Sequence, residues 1–414
     1  MKQTLNETPL GSRLHIAIFG RRNAGKSSLI NALTSQQAAV VSEVAGTTTD
    51  PVRKAMEILP IGPVVIIDTA GIDDTGELGQ ARVARTLRVL DHADLALLVL
   101  DPTAGADGYE DDLARRLSER GIPLVAVVNK VDIHPDDGEM VGWARQRELP
   151  VASVSAVTQE GIGLLKQRMI EHAPAGWSEP TILGDLIQPG DTVVMCIPID
   201  KAAPKGRLIL PQVMTIRDVL DHDGVAVMVK ERELKHALAN MGRPPKLVVT
   251  DSQAVLKASA DTPRNVRFTS FSILFARYKG DLEEMVRGAK AIGRLRPGDK
   301  VLIAEACTHH RQPDDIGKVQ IPRSLRQMVG GNLEFCWTAG GDFPDDLETF
   351  RLVVHCGGCM INRQEMLSRI ARARQAGVPI VNYGVFLAAA HGVLERALEV
   401  FPAALLVLEE GEDK

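Results

Sequence analysis

Two stretches of the sequence carry residue types that do chemistry, one near the start of the chain and one in its last third. Near the start, Gly20–Ser27 reads GRRNAGKS, after a short apolar run and before a helical one. Such glycines let main-chain N–H groups wrap phosphate oxygens, and a helix N-terminus adds its positive end. In the last third, CTHH at 307–310 and HCGGC at 355–359 supply thiols and imidazoles, which soft metals prefer. The sequence therefore predicts a nucleotide site and a metal site.

The first stretch has the pattern of a phosphate-binding loop. Lys26 is expected to reach the β and γ phosphate oxygens, and the hydroxyl of Ser27 is expected to ligate Mg²⁺. A chance glycine-rich turn is the alternative, and the motifs that follow along the chain argue against it. The predicted loop contacts are Gly20, Arg21, Arg22, Asn23, Ala24, Gly25, Lys26, Ser27 and Ser28.

Further motifs complete this site, in loops or where predicted strands end. Asp68 is placed to hold the metal ion through water, and the N–H of Gly71 to sense a γ-phosphate. Thr48 lies on a loop that could bring its hydroxyl to Mg²⁺. The carboxylate of Asp132 can accept the paired N–H donors that guanine offers and adenine lacks, which predicts a GTPase. The predicted base pocket comprises Asn129, Lys130, Asp132, Ser155 and Ala156.

Strand and helix patterns predict the elements that position these motifs. From Leu14 to Glu171, short β-branched runs alternate with helical ones, which predicts an α/β domain with a parallel sheet. The stretch Ala173–Pro180, with its prolines and glycine, marks a boundary. Two more α/β segments follow, the last with a parallel sheet and a helix near Ile273–Leu295. The predicted domains are residues 1–175, 176–264 and 265–414.

The thiols and imidazoles of the last third follow two predicted strands, VLIAEA and FRLVVH. The carboxyl ends of neighbouring parallel strands share one edge of a sheet, so these side chains can meet there. A helix predicted to begin near Asn362 should lower the pKa of Cys356 and Cys359 through its positive end. An iron–sulfur cluster and a structural zinc ion fit this set equally, and spacing does not separate them. A disulfide switch leaves Cys307 and the histidines without a role.

Composition sets the class of protein. The 414 residues are 45% apolar and carry a formal charge of −5, as expected of a globular chain. A protein that coats nucleic acid needs a cationic face, which this balance does not supply. Few cysteines, no apolar signal core and no long apolar run predict a cytoplasmic protein that neither enters nor spans a membrane. Cys196 and Cys336 are predicted to be packing residues, and the alternative for Cys336, which lies between the two thiol motifs in the sequence, is a place near the metal site.

Residues 14–171 resemble the TrmE-Era-EngA branch of the translation-factor-like GTPases, on the motifs quoted above. In that branch an asparagine placed like Asn23 helps to bind a potassium ion, which replaces an arginine finger. Ile72 stands where Ras-like GTPases have the glutamine that orients water. The resemblance implies slow hydrolysis stimulated by K⁺, and the alternative is that Asn23 only caps its turn. The catalytic residues that follow from the motifs and the resemblance are Lys26, Asn23, Thr48 and Gly71.

Over essentially the whole chain, these motifs, the middle segment KAAPKGRLILPQ, and CTHH joined to HCGGC resemble the FeFe-hydrogenase maturation GTPases. The resemblance implies a dimerising middle domain and a C-terminal [4Fe–4S] cluster. The cluster ligands that it implies are Cys307, Cys356 and Cys359. The fourth iron is then labile or bound by a non-cysteine ligand, for which the candidates are His309, His310, His355 and Asp314. The alternatives are a backbone hydrogen bond for His355 and a solvated loop for His310 and Asp314.

The same resemblance implies a scaffold or carrier role. Such a protein receives a diiron precursor made with two radical-SAM enzymes and delivers it to apo FeFe-hydrogenase, with GTP hydrolysis as a switch, and it forms a homodimer. A ribosome- or RNA-assembly GTPase with a zinc module is the alternative, but residues 266–414 carry 19 Lys+Arg and 19 Asp+Glu, whereas an RNA-binding module should be basic. A redox sensor with a Cys356–Cys359 dithiol is a third hypothesis.

Overall fold

The structure of the chain is a computed structural model. Contacts between main-chain positions divide the chain into two compact units, Met1–Pro180 and Thr181–Lys414. The three predicted domains stay a prediction, because this division tests only the break after the GTPase motifs. The structure describes residues 8, 10–35, 42–44, 52–58, 61–69, 89–106, 108–135, 138–174, 181–198, 208–306 and 315–410.

The first unit contains one mixed sheet. Its described strands are Leu14–Gly20 (β1), Ser42–Val44 (β2), Val52–Ile58 (β3), Gly62–Asp68 (β4), Leu95–Leu100 (β5), Leu124–Val128 (β6) and Val151–Ser153 (β7). In the order β2-β3-β4-β1-β5-β6-β7, the strands from β4 to β7 are parallel, which confirms the predicted sheet. The strands β2 and β3 add an antiparallel edge that the sequence analysis missed. The charged residues of VRKAMEI hide the apolar alternation of β3.

Helices cover both faces of this sheet. The described helices are Lys26–Ser35 (α1), Gly108–Glu119 (α2), Glu139–Gln146 (α3) and Ile162–Glu171 (α4). Successive side chains of β1 point to opposite faces, so Ile18 packs in one core with Leu29 of α1, while Phe19 packs in the other with Leu117 of α2. A sheet buried on both faces brings the carboxyl ends of its parallel strands to one edge, where the loops of the nucleotide motifs begin.

The second unit contains two sheets, each entirely parallel. The strands of the first are Thr192–Cys196 (β8), Val225–Val229 (β9), Leu247–Thr250 (β10) and Arg267–Ser270 (β11), in the order β11-β10-β8-β9. The strands of the second are Lys300–Glu305 (β12), Glu334–Ala339 (β13), Leu352–His355 (β14) and Ile380–Asn382 (β15), in the order β13-β12-β14-β15. The parallel sheet predicted for the last third is confirmed.

Helices join the two sheets of the second unit into one hydrophobic core, which extends along the chain from Ile182 to Val407. The described helices are Leu210–Asp221 (α5), Leu234–Asn240 (α6), Val255–Asp261 (α7), Phe271–Lys279 (α8), Leu282–Lys290 (α9), Ile321–Val329 (α10), Arg363–Gln375 (α11), Tyr383–Ala390 (α12), Leu394–Leu398 (α13) and Pro402–Glu409 (α14). Shorter helical turns lie at Leu10–Ser12 in the first unit and at Gly184–Leu186, Ser252–Ala254, Ala291–Arg294, Ile316–Gln320 and Leu347–Thr349 in the second.

The predicted single helix near Ile273–Leu295 is wrong. The chain forms two helices there, α8 and α9, with Gly280 and Asp281 between them. The side chain of Asp281 accepts a hydrogen bond from the N–H of Glu284, which caps the start of α9 and so begins a new helix. This break puts Lys279 at the last position of α8.

Among the described helices, none combines the length and the apolar character that crossing a bilayer requires.

Candidate functional site

The predicted phosphate-binding loop lies between the end of β1 and the start of α1. Three of its residues, Gly20, Asn23 and Gly25, have φ of +147°, +62° and +92°. A Cβ on Gly20 would lie 2.5 Å from the carbonyl oxygen of Val99, and a Cβ on Gly25 would lie 2.2 Å from Nδ2 of Asn129. Only glycine fits these two places, whereas asparagine tolerates the left-handed conformation at position 23.

Lys26 and Ser27 place a cation and a hydroxyl at the first turn of α1. The Nζ of Lys26, which is 8% exposed, donates to the carbonyl oxygens of Gly20 at 2.8 Å and Arg21 at 2.7 Å. The Oγ of Ser27 donates to Oδ2 of Asp68, at the end of β4, at 3.0 Å. Burial raises the pKa of Asp68, and the hydrogen bond from Ser27 and the charge of Lys26 oppose that change. The predicted Mg²⁺ ligand and the predicted acidic partner therefore lie together.

Asn129 links the phosphate loop to the predicted base pocket. Its side chain is 1% exposed and follows β6; Nδ2 donates to the carbonyl oxygen of Ala24 at 2.9 Å. Its Oδ1 accepts from the N–H of Ala156 at 3.2 Å. The buried Oγ of Ser155 accepts from the N–H of Thr158, which holds the turn after β7. The spacing predicted Asn129 as a base contact, and its cross-linking role appears only in the fold.

Lys130 and Asp132 lie on the same loop as Asn129. Lys130 has φ of +66° and its Nζ donates to Oδ2 of Asp101, at the end of β5, at 2.6 Å. Although burial raises the pKa of Asp101, hydrogen bonds from Lys130 and Thr103 bring it below its ordinary value. Asp132 is exposed, as a carboxylate that binds a nucleobase must be. Asp101 was missed by the sequence analysis, and its place at the carboxyl end of a parallel strand was the available signal.

The two arginines of the phosphate loop, Arg21 and Arg22, differ in their exposure to solvent. Arg21 is bound by the buried carboxylate of Glu110 in α2, with Nε donating at 2.7 Å and Nη2 at 2.9 Å, so its guanidinium anchors the loop. Arg22 is exposed, as is Ser28. The predicted Thr48 and Gly71 lie outside the described residues.

The second predicted site lies at the carboxyl ends of β12 and β14, which are neighbours. The Sγ of Cys356, in the turn after β14, accepts hydrogen bonds from the N–H of Ala306 at 3.1 Å and of Gly358 at 3.5 Å. Gly358 has φ of +61°, which suits glycine. Ala306 follows β12 and directly precedes Cys307 in the sequence. Main-chain N–H groups directed at sulfur suit a metal-bound thiolate, so the chemistry of this turn fits an iron–sulfur cluster.

The predicted start of a helix after this turn is confirmed, but its predicted effect on Cys356 is wrong. The side chain of Asn362 accepts from the N–H of Glu365 at 3.1 Å and caps α11. Burial raises the pKa of Cys356 to about 11, and the two N–H hydrogen bonds oppose that change without reversing it. A half-buried thiol among apolar groups is therefore protonated at neutral pH, and metal binding would have to release that proton.

His355 is fully buried and both of its ring nitrogens have hydrogen-bond partners. Nδ1 donates to the carbonyl oxygen of Cys356 at 2.7 Å, and Nε2 accepts from Nη1 of Arg369 at 3.1 Å. Burial, and then the charge of Arg369, lower the pKa of His355 to about 4, so the imidazole is neutral. This geometry favours the backbone-bonded alternative, since ligation through Nε2 would require Arg369 to move.

The partner of His355 belongs to a buried polar network that the sequence analysis missed. Arg369 of α11 is 3% exposed, and its Nη2 donates to Oε1 of Glu365 at 2.6 Å and to the carbonyl oxygen of Gly340 at 2.9 Å. The spacing of Glu365 and Arg369 by four residues on a helix was the available signal. The network holds the carboxyl end of β14 against α11.

A second buried polar pair lies beside Cys356. Glu305, the last residue of β12, is 7% exposed, and its Oε1 accepts from the hydroxyl of Tyr383 at 3.2 Å. Burial, and next the nearby Cys356 and Glu305, raise the pKa of Tyr383, which therefore stays protonated and donates. An acidic residue at this strand end escaped the sequence analysis because it precedes the CTHH motif.

The predictions for the remaining cysteines and histidines agree with the structure to different extents. Cys196 is fully buried in β8, and burial raises its pKa to about 11, which confirms its packing role. Cys336 is exposed on the edge strand β13, so its predicted packing role is wrong. The predicted Cys307, His309, His310 and Asp314 lie outside the described residues. Within the described part of the chain, no three His, Cys, Asp or Glu side chains gather into a metal-binding group.

Curated relatives match part of the chain. The tRNA modification GTPase MnmE of Chromobacterium violaceum is 40% identical over 159 residues, which is 38% of this chain and 34% of that protein. MnmE of Pasteurella multocida is 39% identical over 163 residues, again 38% of this chain and 34% of that protein. The chain thus spans about a third of the length of the curated relatives it matches.

Solved structures also match part of the chain. The G domain of the T. maritima FeoB iron transporter is 24% identical, covers 39% of this chain and 99% of its own, and has a TM-score of 0.32. Aquifex aeolicus Era bound to GDP.AlF4− is 18% identical, covers 60% of this chain and 99% of its own, and has a TM-score of 0.33.

Family comparisons cover most of the chain in three consecutive pieces. Residues 15–130 match a family described as 50S ribosome-binding GTPase, which agrees with the P-loop fold of the first unit. Residues 182–280 match the hydrogen maturase F dimerization domain, and residues 283–400 match the hydrogen maturase F tetramerization domain. These last two matches together span more than half of the 414 residues. The chain belongs to the hydrogen maturase F family, with a GTPase domain ahead of the two maturase domains.

Proposed function

We propose that this protein is a GTP-hydrolysing scaffold that binds a [4Fe–4S] cluster and delivers a diiron precursor to apo FeFe-hydrogenase. The observation that carries the proposal is the thiol turn of the second unit, which lies within a hydrogen maturase F domain and follows the strand next to β12. Its cargo would be the diiron precursor made with two radical-SAM enzymes in the cytoplasm. The GTPase domain would act as the switch on this carrier.

Strand register supports Cys307, Cys356 and Cys359 as a common ligand set. Ala304 of β12 lies beside His355 of β14, so the residues that follow these strands leave the sheet side by side. The N–H of Ala306 reaches Sγ of Cys356, and Cys307 is the next residue. When bound, a cluster with three cysteine ligands supplies one iron with an open or exchangeable position.

The fourth iron would take an exchangeable ligand. His309 and Asp314 are the candidates that follow Cys307, and His355 is the candidate on β14. Since both ring nitrogens of His355 already have partners, His355 is disfavoured as a fixed ligand. An exchangeable position suits a carrier that binds its cargo and releases it.

Anaerobic reconstitution with iron and sulfide tests this site. We expect about four irons per chain with the absorption and EPR signals of a [4Fe–4S] centre, and their loss in Cys307→Ala, Cys356→Ala and Cys359→Ala. The matched controls are Cys196→Ala and Cys336→Ala, which should keep their iron. Full iron in any of the three ligand variants would overturn the assignment. Bound zinc would favour the RNA-assembly alternative, and a reversible Cys356–Cys359 disulfide without iron would favour the redox sensor.

The GTPase domain is proposed to use K⁺. Thr48 and Gly71 would bring a hydroxyl to Mg²⁺ and an N–H to the γ-phosphate, while Ile72 replaces the water-orienting glutamine. We expect faster GTP hydrolysis in KCl than in NaCl at equal ionic strength. Asn23→Gly separates the two roles of this residue, because glycine accepts the φ of +62° but carries no ligand. Loss of the K⁺ effect in this variant supports a ligand role, and equal turnover of the native chain in both salts contradicts it.

The middle segment is proposed to form a homodimer through β9, an edge strand of its sheet. Val225 and Met228 of β9 are 47% and 53% exposed, and Leu220 of α5 is 52% exposed. An open strand edge with exposed apolar side chains favours pairing with another chain. We expect Met228→Lys to shift the molar mass toward the monomer in light scattering. The control Leu256→Lys, at an exposed leucine of α7, should leave the mass unchanged, and an unshifted Met228→Lys would contradict this interface.

A further inference from the structure

A lysine that is 1% exposed lies beneath the thiol turn. This residue, Lys279, ends α8, and its Nζ donates to the carbonyl oxygens of Gly358 at 3.3 Å, Cys359 at 3.2 Å and Ile361 at 2.7 Å. An ammonium group has three N–H donors, and three carbonyl groups of one turn receive them. Lysine is almost never this buried without such partners, so the contact is specific.

The carbonyl acceptors all belong to the turn that contains both cysteines of CGGC. Lys279 donates to three carbonyl groups of this turn, and that of Gly358 also accepts from the N–H of Ile361 at 3.3 Å. The hydrogen bonds from Ala306 and Gly358 to Cys356 act on the same turn from the sulfur side. Removal of the ammonium group would take a charged donor away from buried carbonyl groups, which costs free energy and would let the turn change shape.

The positive charge of Lys279 is within electrostatic reach of both thiols. Burial lowers the pKa of Lys279 to about 8, and Cys359, Glu365 and Cys356 oppose that change.

We propose that Lys279 is a positioning residue of the thiol site, which fixes the Cys356–Cys359 turn and puts a positive charge near the thiols that would hold the cluster. The part that concerns charge rests on the proposed function. A [4Fe–4S] core with three thiolates is an anion, and its reduction adds a further negative charge. A buried cation next to it therefore favours the reduced form.

This support comes from outside the family domain that carries the thiols. Lys279 lies in the segment matched by the dimerization domain, whereas Cys356 and Cys359 lie in the segment matched by the tetramerization domain. Both segments belong to the same compact unit. Lys279 thus ties the last helix of one maturase domain to the thiol turn of the next.

Hydrogen exchange of the full-length, metal-free chain tests the positioning role. We expect amides in residues 356–361 to exchange at least tenfold faster in Lys279→Met, with little change elsewhere. The matched control is Lys290→Met, since Nζ of Lys290 also donates to main-chain carbonyls, those of Val407 and Glu410, away from the thiols. Exchange of the turn at the native rate in Lys279→Met would overturn the positioning role. If Lys279→Met does not fold, Lys279→Gln decides the same question: its shorter side chain has two N–H donors for three carbonyl groups, so the turn should still exchange faster than in the native chain, and exchange at the native rate would overturn the positioning role.

The reduction potential of the reconstituted centre tests the role of the charge. Lys279→Gln and Lys279→Met both remove it, so both should shift the reduction equilibrium tenfold or more toward the oxidised centre, which is 59 mV for one electron. Native potentials in both variants would overturn the charge role. If the native chain binds no iron, the proposed function fails, while the exchange experiment still decides the role of Lys279 in the turn.

Discussion

The GTP site and the thiol site each depend on a buried lysine, but the two lysines reach very different distances along the chain. Lys26 donates to carbonyls of its own loop, five and six residues away. Lys279 donates to carbonyls 79 to 82 residues away. Lys26 therefore acts within its own motif, whereas Lys279 supports the thiol turn from another segment of the unit. The nucleotide loop has distant contacts as well, with Glu110 and Asn129, but its buried lysine is local. Substitution of Lys26 should thus act on its own loop, whereas substitution of Lys279 should disturb a turn that is distant in the sequence.

The largest expected effect is on the buried network behind the thiol turn. Arg369→Met removes the buried ion pair with Glu365 and the donor to His355, so we expect a loss of about 3–5 kcal/mol in the free energy of unfolding. Urea unfolding followed by circular dichroism measures it. Arg372→Met, in the same helix but 30% exposed, should lose clearly less. Equal losses of unfolding free energy in the two variants would show that burial of the arginine does not determine how much it stabilises the unit.

The next effect is on hydrolysis. Lys26→Met removes the cation that is aimed at the phosphates, and we expect phosphate release to fall by about 100-fold or more. Lys166→Met, which changes a lysine of α4, serves as the control and should hydrolyse GTP at the native rate. A Lys26→Met variant that kept a third of the native rate would show that the loop works without its lysine.

Base specificity should change through Asp132. Asp132→Asn replaces a charged acceptor with an amide, so we expect GTP to bind about 10- to 100-fold more weakly in calorimetry. The amide can instead donate to the second carbonyl of xanthine, so xanthosine triphosphate should bind better than GTP. An unchanged preference for GTP would mean that other residues read the base.

The smallest effect concerns an exposed ion pair of the second unit. Arg277 donates to both carboxylate oxygens of Asp185 at 2.7 Å and thereby lowers the pKa of Asp185. Stability from this pair is present above the ordinary pKa of 3.8 and is lost as the pH falls through the lower folded value. Solvent limits the loss to about 1 kcal/mol or less. Asp185→Asn should lack this acid-dependent loss, while Asp299→Asn, whose pair with Arg351 is 3.9 Å apart, should keep it. If the free energy of unfolding depends on pH in the same way in the native protein and in Asp185→Asn, this role of the ion pair is contradicted.

The contrast between contacts within one motif and contacts between distant segments also explains which site residues the sequence could reveal. The P-loop fold and the places of Lys26, Asp68 and Asn129 follow from local motifs, because each motif sits at the end of a strand with a readable apolar run. Lys279 carries no such signal, and the spacing of Arg369 from Glu365 predicts only an ion pair on a helix surface, since lysine and arginine in a helix are usually solvated. Their roles depend on contacts between distant segments.

The sequence does contain a signal for the helix break before α9. Asp281 followed by Glu283 and Glu284 is a helix start, with a capping carboxylate and acidic residues in the first turn. The pKa of Cys356, in contrast, depends on burial that spacing does not reveal. A helix N-terminus alone predicted a lowered value, and desolvation outweighs it.

The most direct test of the proposed carrier role is the hydrogen evolution of apo FeFe-hydrogenase after incubation with this chain, matured with two radical-SAM enzymes. We expect activation by the native chain and by Cys336→Ala, and none by Cys356→Ala, although Cys356→Ala should hydrolyse GTP at the native rate. Activation by Cys356→Ala equal to that by the native chain would contradict the account.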